Sequence, residues 1–306
     1  MHAGLAASLR HVCDQARGVV AFDEDALAAL IESLEGGATF GAPTFAAYYA
    51  LVPPLIEGDH DAAAAAFSTL AAARPIAPGL RVVALTREEL SDRFDTYHAM
   101  MNGDPSMPIG MLPPGRELAD GFRTRFQRGF ELLEQAVPEL AGEVRHIINE
   151  VVIVAGDPSL KYQFDGGSHF QLWGALFLNA DFHKTDHAIV EVIAHESAHS
   201  LLFGFCTEEA LVENADEELY ASPLRVDPRP MDGIYHATFV SARMHWAMSR
   251  LLASGLLDDE TAHQVSAALD ADVRNFEAGY GVVAAHGRLT PTGRALMDGA
   301  RRYMAA

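Results

Sequence analysis

Apolar residues recur at the three- and four-residue spacing of an amphipathic helix over most of the chain. One group of these patterns lies in the alanine-rich N-terminal part, and a second group follows later in the sequence. They predict helices over residues 23–34, 44–55, 60–73, 117–135, 231–252, 258–278 and 290–305. We expect the second helix to break at Pro53 and Pro54, because proline lacks the N–H that a helix interior needs.

Three segments have the composition of β-strands instead. Residues 81–85 form a short apolar run, residues 145–154 are rich in β-branched side chains, and residues 170–179 are apolar and aromatic. We expect the last two segments to pair in a small sheet that precedes a helix beginning near residue 186. The pattern therefore predicts an α+β, helix-rich fold.

The sequence His195-Glu196-Ser-Ala-His199 carries the strongest chemical signal in the chain. A helical pattern leads directly into it, so the two histidines lie one turn apart on one helix face. Both imidazoles can then reach one divalent metal ion at ~2.0–2.1 Å, with Glu196 beside it as a general base or an orienting group. A strand next to such a helix is typical of zincins, so we expect a zincin-like fold with the small sheet packed on the motif helix.

A segment rich in glycine, proline and methionine, residues 100–115, is the best candidate for a junction. It predicts an N-terminal helical lobe over residues 1–110 and a catalytic region over residues 111–306 that contains the metal motif. One continuous domain is the alternative. The chain of 306 residues, 49% hydrophobic, is long enough for a large core in either case.

Charge and composition limit the classes of partner that this protein is expected to bind. The formal charge of −20 argues against nucleic acid or an anionic membrane and leaves room for a neutral or basic peptide. No apolar run reaches the ~18 residues of a membrane span, and the N-terminus lacks the apolar core of a secretory signal, so we expect a cytoplasmic protein. The two cysteines, Cys13 and Cys206, are expected to be free thiols.

A third protein ligand would decide the chemistry of the metal site. A metzincin would carry glycine at position 202 and histidine at position 205, but this chain has Leu202 and Phe205, so that class is excluded. A thermolysin-like site would use a glutamate from the acidic run over residues 208–218, which we interpret as a solvated helix face. The candidates there are Glu213, Glu217 and Glu218.

His236 is the preferred third ligand. It lies at the start of the helical pattern over residues 231–252, directly after a segment over residues 220–230 that is dense in proline and arginine. Proline stiffens such a loop and arginine suits an anionic group, so the segment is suited to holding an anion. A neutral third imidazole is also compatible with an iron site.

Four stretches of the chain together resemble one known family. They are the strand ending in Gly174-Ala-Leu-Phe-Leu178, the His-Glu-x-x-His helix, the Tyr-x-Ser-Pro-x-Arg-x-Asp-Pro-Arg-Pro loop over residues 220–230, and the Gly-x-x-His helix over residues 233–236. They are similar to the HExxH-type peptide-modification proteins, which are iron(II)- and α-ketoglutarate-dependent peptide β-hydroxylases encoded with ribosomally made, post-translationally modified peptides. The resemblance covers about residues 145–255, with one departure at Ala237, where glycine is expected.

The resemblance implies a dioxygenase that hydroxylates a β-carbon in a peptide substrate, with or without a leader peptide. It implies Fe(II) bound by His195, His199 and His236, with α-ketoglutarate as co-substrate and O2 as oxidant. The far carboxylate of α-ketoglutarate needs a fixed cation, and the candidates are Arg225, Arg229 and Arg243. A Zn(II) metallopeptidase is the alternative, and in that case Glu196 would be the catalytic base.

Overall fold

The structure is a computed structural model that describes residues 1–103, 109–160, 164–222 and 227–306. It is 64% helical with a small mixed sheet, which confirms the predicted α+β, helix-rich class. Within the described ranges, no helix is both long enough and apolar enough to cross a bilayer. The chain forms two compact units, Met1–Gly115 with Ile148–Asn179, and Arg116–Ile147 with Ala180–Ala306.

Four helices of the first unit pack around an apolar core that includes Leu9, Leu27 and Phe67. Asp23 and Asp59 cap two of these helices, because their side chains accept a hydrogen bond from a backbone N–H three residues later. The helices of this unit are α1 (His2–Ala16), α2 (Glu24–Glu35), α3 (Ala42–Glu57), α4 (His60–Ala71), α5 (Arg87–Leu90) and α6 (Arg93–Met101).

The sheet also belongs to the first unit. Its strands are β1 (Arg81–Ala84), β2 (Met111–Leu112), β3 (Glu150–Gly156), β4 (Gly166–Ser168) and β5 (Ala175–Asn179). The strand β3 runs parallel to β1 and β5, whereas β2 pairs antiparallel with β3, and β4 with β5. Pairing between β1 and β3 explains why residues 148–179 belong with the N-terminal residues, which differs from the predicted division at residue 110.

The second unit contains the helices that carry the predicted histidines. Its elements are α7 (Arg116–Ala136), α8 (Pro138–Ile147), α9 (Asp186–Phe205), α10 (Met231–Ala253), α11 (Asp259–His286) and α12 (Pro291–Met304), with a two-stranded ribbon of β6 (Leu219–Tyr220) and β7 (Arg229–Pro230). Side chains of Ala198 and Leu202 in α9 share one core with Tyr235 and Phe239 in α10. Hence α9 and α10 are held together by apolar packing.

The predicted break at Pro53 and Pro54 is wrong, because α3 continues through both prolines to Glu57. Each proline removes one helical hydrogen bond. The pair lies near the end of the helix, which Gly58 terminates with a left-handed φ of 73°. Leu51, just before the prolines, is fully buried, and we infer that packing of this face outweighs the lost hydrogen bonds.

The predicted strand boundaries were also wrong. Residues 145–147, predicted as strand, form the last turn of α8, and β3 begins only at Glu150. Of residues 170–179, only Ala175–Asn179 form a strand, since Phe170–Leu172 make a 3-10 turn and Gly174 has a left-handed φ of 92°. Aromatic composition alone does not separate a tight turn from a strand.

The acidic run over residues 208–218 is a loop of turns and bends, so its prediction as a helix face is wrong. Val212 forms an isolated β-bridge with Leu289, in the connection between α11 and α12. Asn214 fixes the same connection, because its side chain donates to His286 O and accepts from Arg288 N. These long-range contacts replace the local hydrogen bonds of a helix.

Candidate metal centre

The helix α9 presents His195 and His199 on one face. Its first turn is fixed by Thr185, whose hydroxyl accepts a hydrogen bond from Ala188 N at 3.3 Å. The two imidazole rings have centroids 5.1 Å apart. The helix α7 packs closely at Gly129, where a Cβ atom would lie only 2.4 Å from Ile189 Cβ. Capping and close packing therefore fix the helix that carries the motif.

The helix α10 brings His236 next to this pair. Its Nδ1 atom lies 3.1 Å from Nδ1 of His199, and the two ring planes are inclined by 16°. The His236 side chain is buried and packs against Phe203 of α9. Its other nitrogen, Nε2, lies 3.9 Å from a carboxylate oxygen of Asp232, one helical turn earlier. The imidazole is thus held between a second histidine and a carboxylate.

A close crossing with α11 fixes the turn of α10 that carries His236. A Cβ atom on Gly279 would lie 2.2 Å from Oγ1 of Thr238, so the two helices could not approach this closely with any larger residue there. Thr238 is fully buried, and its hydroxyl donates to Ile234 O at 2.7 Å. It follows His236 by two residues, and the crossing therefore positions that imidazole.

Burial favours the neutral form of His199 and His236. It lowers the pKa of His199 well below the ordinary value, and the neighbouring His195 and His236 lower this pKa further. Burial also lowers the pKa of His236, with Asp232 acting in the opposite direction. A neutral imidazole has a lone pair on one ring nitrogen, and this is the form that binds metal ions. The donor chemistry therefore fits a divalent metal.

The distance between ring nitrogens is compatible with one shared metal ion for two of the three histidines. Two nitrogens bound to one ion at ~2.0–2.1 Å lie about 3.0–3.4 Å apart, and the separation of 3.1 Å between His199 and His236 falls in this range. The Nδ1 atom of His195 instead lies 3.2 Å from Sδ of Met244. In the described part of the chain, no three side chains of His, Cys, Asp or Glu are arranged as ligands of one ion. The His195 side chain is 41% exposed, and its ring would have to turn to complete a three-histidine site.

Among the described residues, no glutamate of the acidic run belongs to a group of three side chains that could hold one metal ion. Glu213 and Glu217 are exposed. Glu218 accepts hydrogen bonds from Arg288 and Tyr220, which hold the pKa of its carboxyl group at about 2. Its carboxylate stabilises the connection between α11 and α12.

The structure describes two of the three predicted arginines, and they lie in different surroundings. Arg225 lies outside the described residues. Arg229 stands in β7, paired with Tyr220 of β6, and its Nε lies 2.9 Å from a carboxylate oxygen of Asp227. Arg243 forms an ion pair with Glu143 of α8 and lies over the ring of Trp246 at 4.8 Å. Arg243 therefore joins α8 to α10, whereas Arg229 pairs with a carboxylate only two residues away in the sequence.

Sequence reasoning missed Asp232 and Met244, which lie beside His236 and His195. It also missed two carboxyl groups that lie near each other, Glu191 and Asp272. Asp232 and Glu191 each precede a histidine by four residues, a helical spacing that could have identified them. Met244 and Asp272 carry no such local signal. Asp272 is 2% exposed, one of its carboxylate oxygens has no hydrogen-bond partner, and burial together with Glu191 raises its pKa to about 7.

Comparison with known proteins adds no family assignment. No protein-family model matches the chain, and no curated protein matches it significantly. The resemblance drawn from the motif, the loop and the following helix therefore stays a prediction.

Proposed function

We propose that this protein is an iron(II)- and α-ketoglutarate-dependent dioxygenase that hydroxylates a β-carbon of a residue in a peptide. The observation that carries the proposal is the approach of a third imidazole, His236, to 3.1 Å from His199, whereas a thermolysin-like hydrolase would use a carboxylate. Three neutral imidazoles on one face leave positions for a chelating co-substrate and for O2. A zincin-like arrangement of the strand and the motif helix is part of the same proposal.

Each residue then has a definite task. When bound, iron(II) would supply the activation of O2 that is coupled to oxidative decarboxylation of α-ketoglutarate. His195, His199 and His236 would hold the ion, and Asp232 would orient the ring of His236 through its second nitrogen. Arg229 would bind the far carboxylate of α-ketoglutarate with two parallel N–H donors.

The substrate is proposed to be a neutral or basic peptide. The chain has a formal charge of −20, and an acidic peptide would be repelled at long range. A cytoplasmic location is part of the same proposal, because α-ketoglutarate is a metabolite of the cell interior.

The role of Glu196 differs between this proposal and the alternative, a zinc metallopeptidase. Glu196 is 4% exposed as a residue, and one of its carboxylate oxygens lies 3.8 Å from Nε2 of His195. This position favours the alternative, because a carboxylate beside a metal-bound water can act as a general base. In an oxygenase no hydrolytic base is needed, and the same carboxylate only orients the neighbouring groups.

The test is succinate formation by protein loaded anaerobically with Fe(II) and then supplied with α-ketoglutarate and O2. We expect succinate from the wild type and a measurable amount from Glu196→Gln, which keeps shape and hydrogen bonding but loses basicity. His199→Ala should form none. Hydrolysis of an unmodified peptide by the zinc-loaded wild type without α-ketoglutarate, abolished in Glu196→Gln, would establish the peptidase instead.

A further inference from the structure

One helix of the first unit, α3, carries no charge on any side, although part of it faces solvent. Between Gly41 and Glu57 its sequence is almost entirely apolar. Phe45 and Leu51 pack into the core of the four N-terminal helices. A helix that is apolar all round is normally buried on every side. The solvent-facing side of α3 therefore indicates a surface that a partner covers.

The apolar residues on this side form one stripe. Tyr49, Val52, Pro53 and Ile56 follow one another at the three- and four-residue spacing of a helix face, and Ile56 is 79% exposed. Phe170, which is 43% exposed, extends the stripe, because its ring centroid lies 5.2 Å from that of Tyr49. We call these five residues the α3 patch. A contiguous exposed apolar patch marks an interaction site, whereas single exposed apolar residues do not.

The same turns of α3 also offer hydrogen-bond acceptors. Pro53 and Pro54 have no N–H, so the carbonyl groups of Tyr49 and Ala50, four residues earlier, lack their usual helical donors. Ala50 and Pro53 are exposed, and a partner can therefore reach this part of the helix. An N–H donor of that partner would satisfy the carbonyl groups, and a charged donor would form the stronger hydrogen bond.

The surroundings of the α3 patch are acidic. Residues 18–73 contain eight Asp or Glu residues and no Lys or Arg. Three of these acidic residues, Glu57, Asp59 and Asp61, are exposed and follow the patch directly, at the end of α3 and the start of α4. They would repel an anionic partner, including a second copy of this chain with its formal charge of −20. The same charges would attract a cationic partner.

We infer that the α3 patch binds a cationic, amphipathic helical segment of another polypeptide. The apolar side chains of that segment would pack along the stripe, which spans about two helical turns from Tyr49 to Ile56. Its Lys or Arg side chains would meet Glu57 and Asp61 and donate to the carbonyl groups that the prolines leave without helical donors. None of these residues is assigned to the metal or to the co-substrate, so the inference goes beyond the proposed oxygenase activity.

Fluorescence anisotropy of a labelled peptide with the whole chain, at constant ionic strength, tests this inference. The probe is a peptide of leucine and lysine of about 18 residues, with the leucines along one helix face. It should bind saturably at micromolar concentration. A counterpart with glutamate in place of lysine should not bind, because the charges repel. A counterpart with serine in place of leucine should bind about tenfold or more weakly, because it lacks the apolar face.

Variants of the chain locate the binding site. Ile56→Ser removes a large apolar side chain of the α3 patch and should weaken binding of the leucine–lysine peptide about tenfold or more. Glu57→Gln combined with Asp61→Asn should weaken it about threefold or more. Val19→Ser, at a position that is 58% exposed and lies in the same acidic segment, is the matched control and should bind as the wild type does. All four positions are exposed, so these variants should fold normally, which circular dichroism verifies.

The inference is overturned if the leucine–lysine peptide does not bind saturably, or if Ile56→Ser binds it unchanged. It is equally overturned if Val19→Ser loses as much affinity as Ile56→Ser, or if either counterpart peptide binds as tightly. Sedimentation that shows a wild-type dimer and an Ile56→Ser monomer would overturn it too, because a second copy would then cover the patch. The assay needs neither metal nor turnover, so its outcome is independent of the proposed oxygenase activity.

Discussion

Gly279→Ala should destabilise the protein, although alanine is the better helix former. The change places a Cβ atom 2.2 Å from Oγ1 and 3.2 Å from Cβ of Thr238, in the crossing of α11 with α10. Ordinary contacts of a methyl group begin near 3.4 Å, so Thr238 or a whole helix must move by about 1 Å. Rotation of the threonine would also break the hydrogen bond of its hydroxyl to Ile234 O.

The magnitude follows from comparison with Gly281 in the same helix, where an added Cβ would meet nothing within 4 Å. Gly281→Ala should stabilise the protein by about 0.8–1 kcal/mol through helix propensity alone. Gly279→Ala gains the same term but also introduces an overpacked contact, which costs about 1–3 kcal/mol. The free energy of unfolding of Gly279→Ala should therefore lie about 1–3 kcal/mol below that of Gly281→Ala.

Urea unfolding of the two variants measures this difference, provided that the m-values agree. A Thr238→Ala, Gly279→Ala double variant should recover most of the loss, with a coupling energy of about 1–3 kcal/mol. Because Thr238 follows His236 closely, Gly279→Ala should also weaken metal binding, and Gly281→Ala should not. Equal stability of Gly279→Ala and Gly281→Ala would refute the close crossing.

Three further predictions concern the site and its surroundings. Anaerobic Fe(II) should raise the melting temperature of the wild type, and His236→Ala should abolish this rise because one proposed ligand is lost. The control is His245→Ala, on the same helix, where the histidine contacts Tyr303 instead; this variant should keep the rise. Arg229→Lys should raise the α-ketoglutarate concentration for half-maximal succinate formation by about tenfold, since lysine cannot offer two parallel donors, and an unchanged concentration would exclude Arg229 as the anchor. The pKa of Asp272 is raised to about 7 in the folded chain, whereas an aspartate in the unfolded chain has a pKa of ~3.9. Between these two pH values the folded chain therefore binds a proton that the unfolded chain has released. As a result, Asp272 lowers the free energy of unfolding increasingly as pH rises from about 4 to 7. Asp272→Asn should therefore stabilise the protein by a few kcal/mol at pH 8 and little at pH 4, and an equal effect in urea unfolding at both pH values would contradict the shifted pKa.

The parts of the fold that were predictable are those encoded over short distances. The helix that begins at Glu24 follows from its apolar spacing and from Asp23, whose cap contact lies three residues away. The spacing of His195 and His199 on one helix face is equally local. The parallel pairing of β1 with β3 depends on residues far apart in the chain, and no local pattern encodes it. The approach of His236 to His199 likewise depends on packing between helices, including the crossing at Gly279.

The two compact units are interleaved along the chain, which passes between them after Gly115, Ile147 and Asn179. No single proteolytic cut can therefore separate them, and a fragment that ends at Ile147 lacks the central strand of the sheet. At a synthesis rate of about 5–20 residues per second, β1 leaves the ribosome several seconds before β3. During that interval the backbone N–H and C=O groups of β1 that later bond to β3 have no partner strand, and such an unpaired edge is prone to pair with other chains. Chaperone dependence and aggregation during synthesis should thus be governed by residues 85–149, whose length sets the delay.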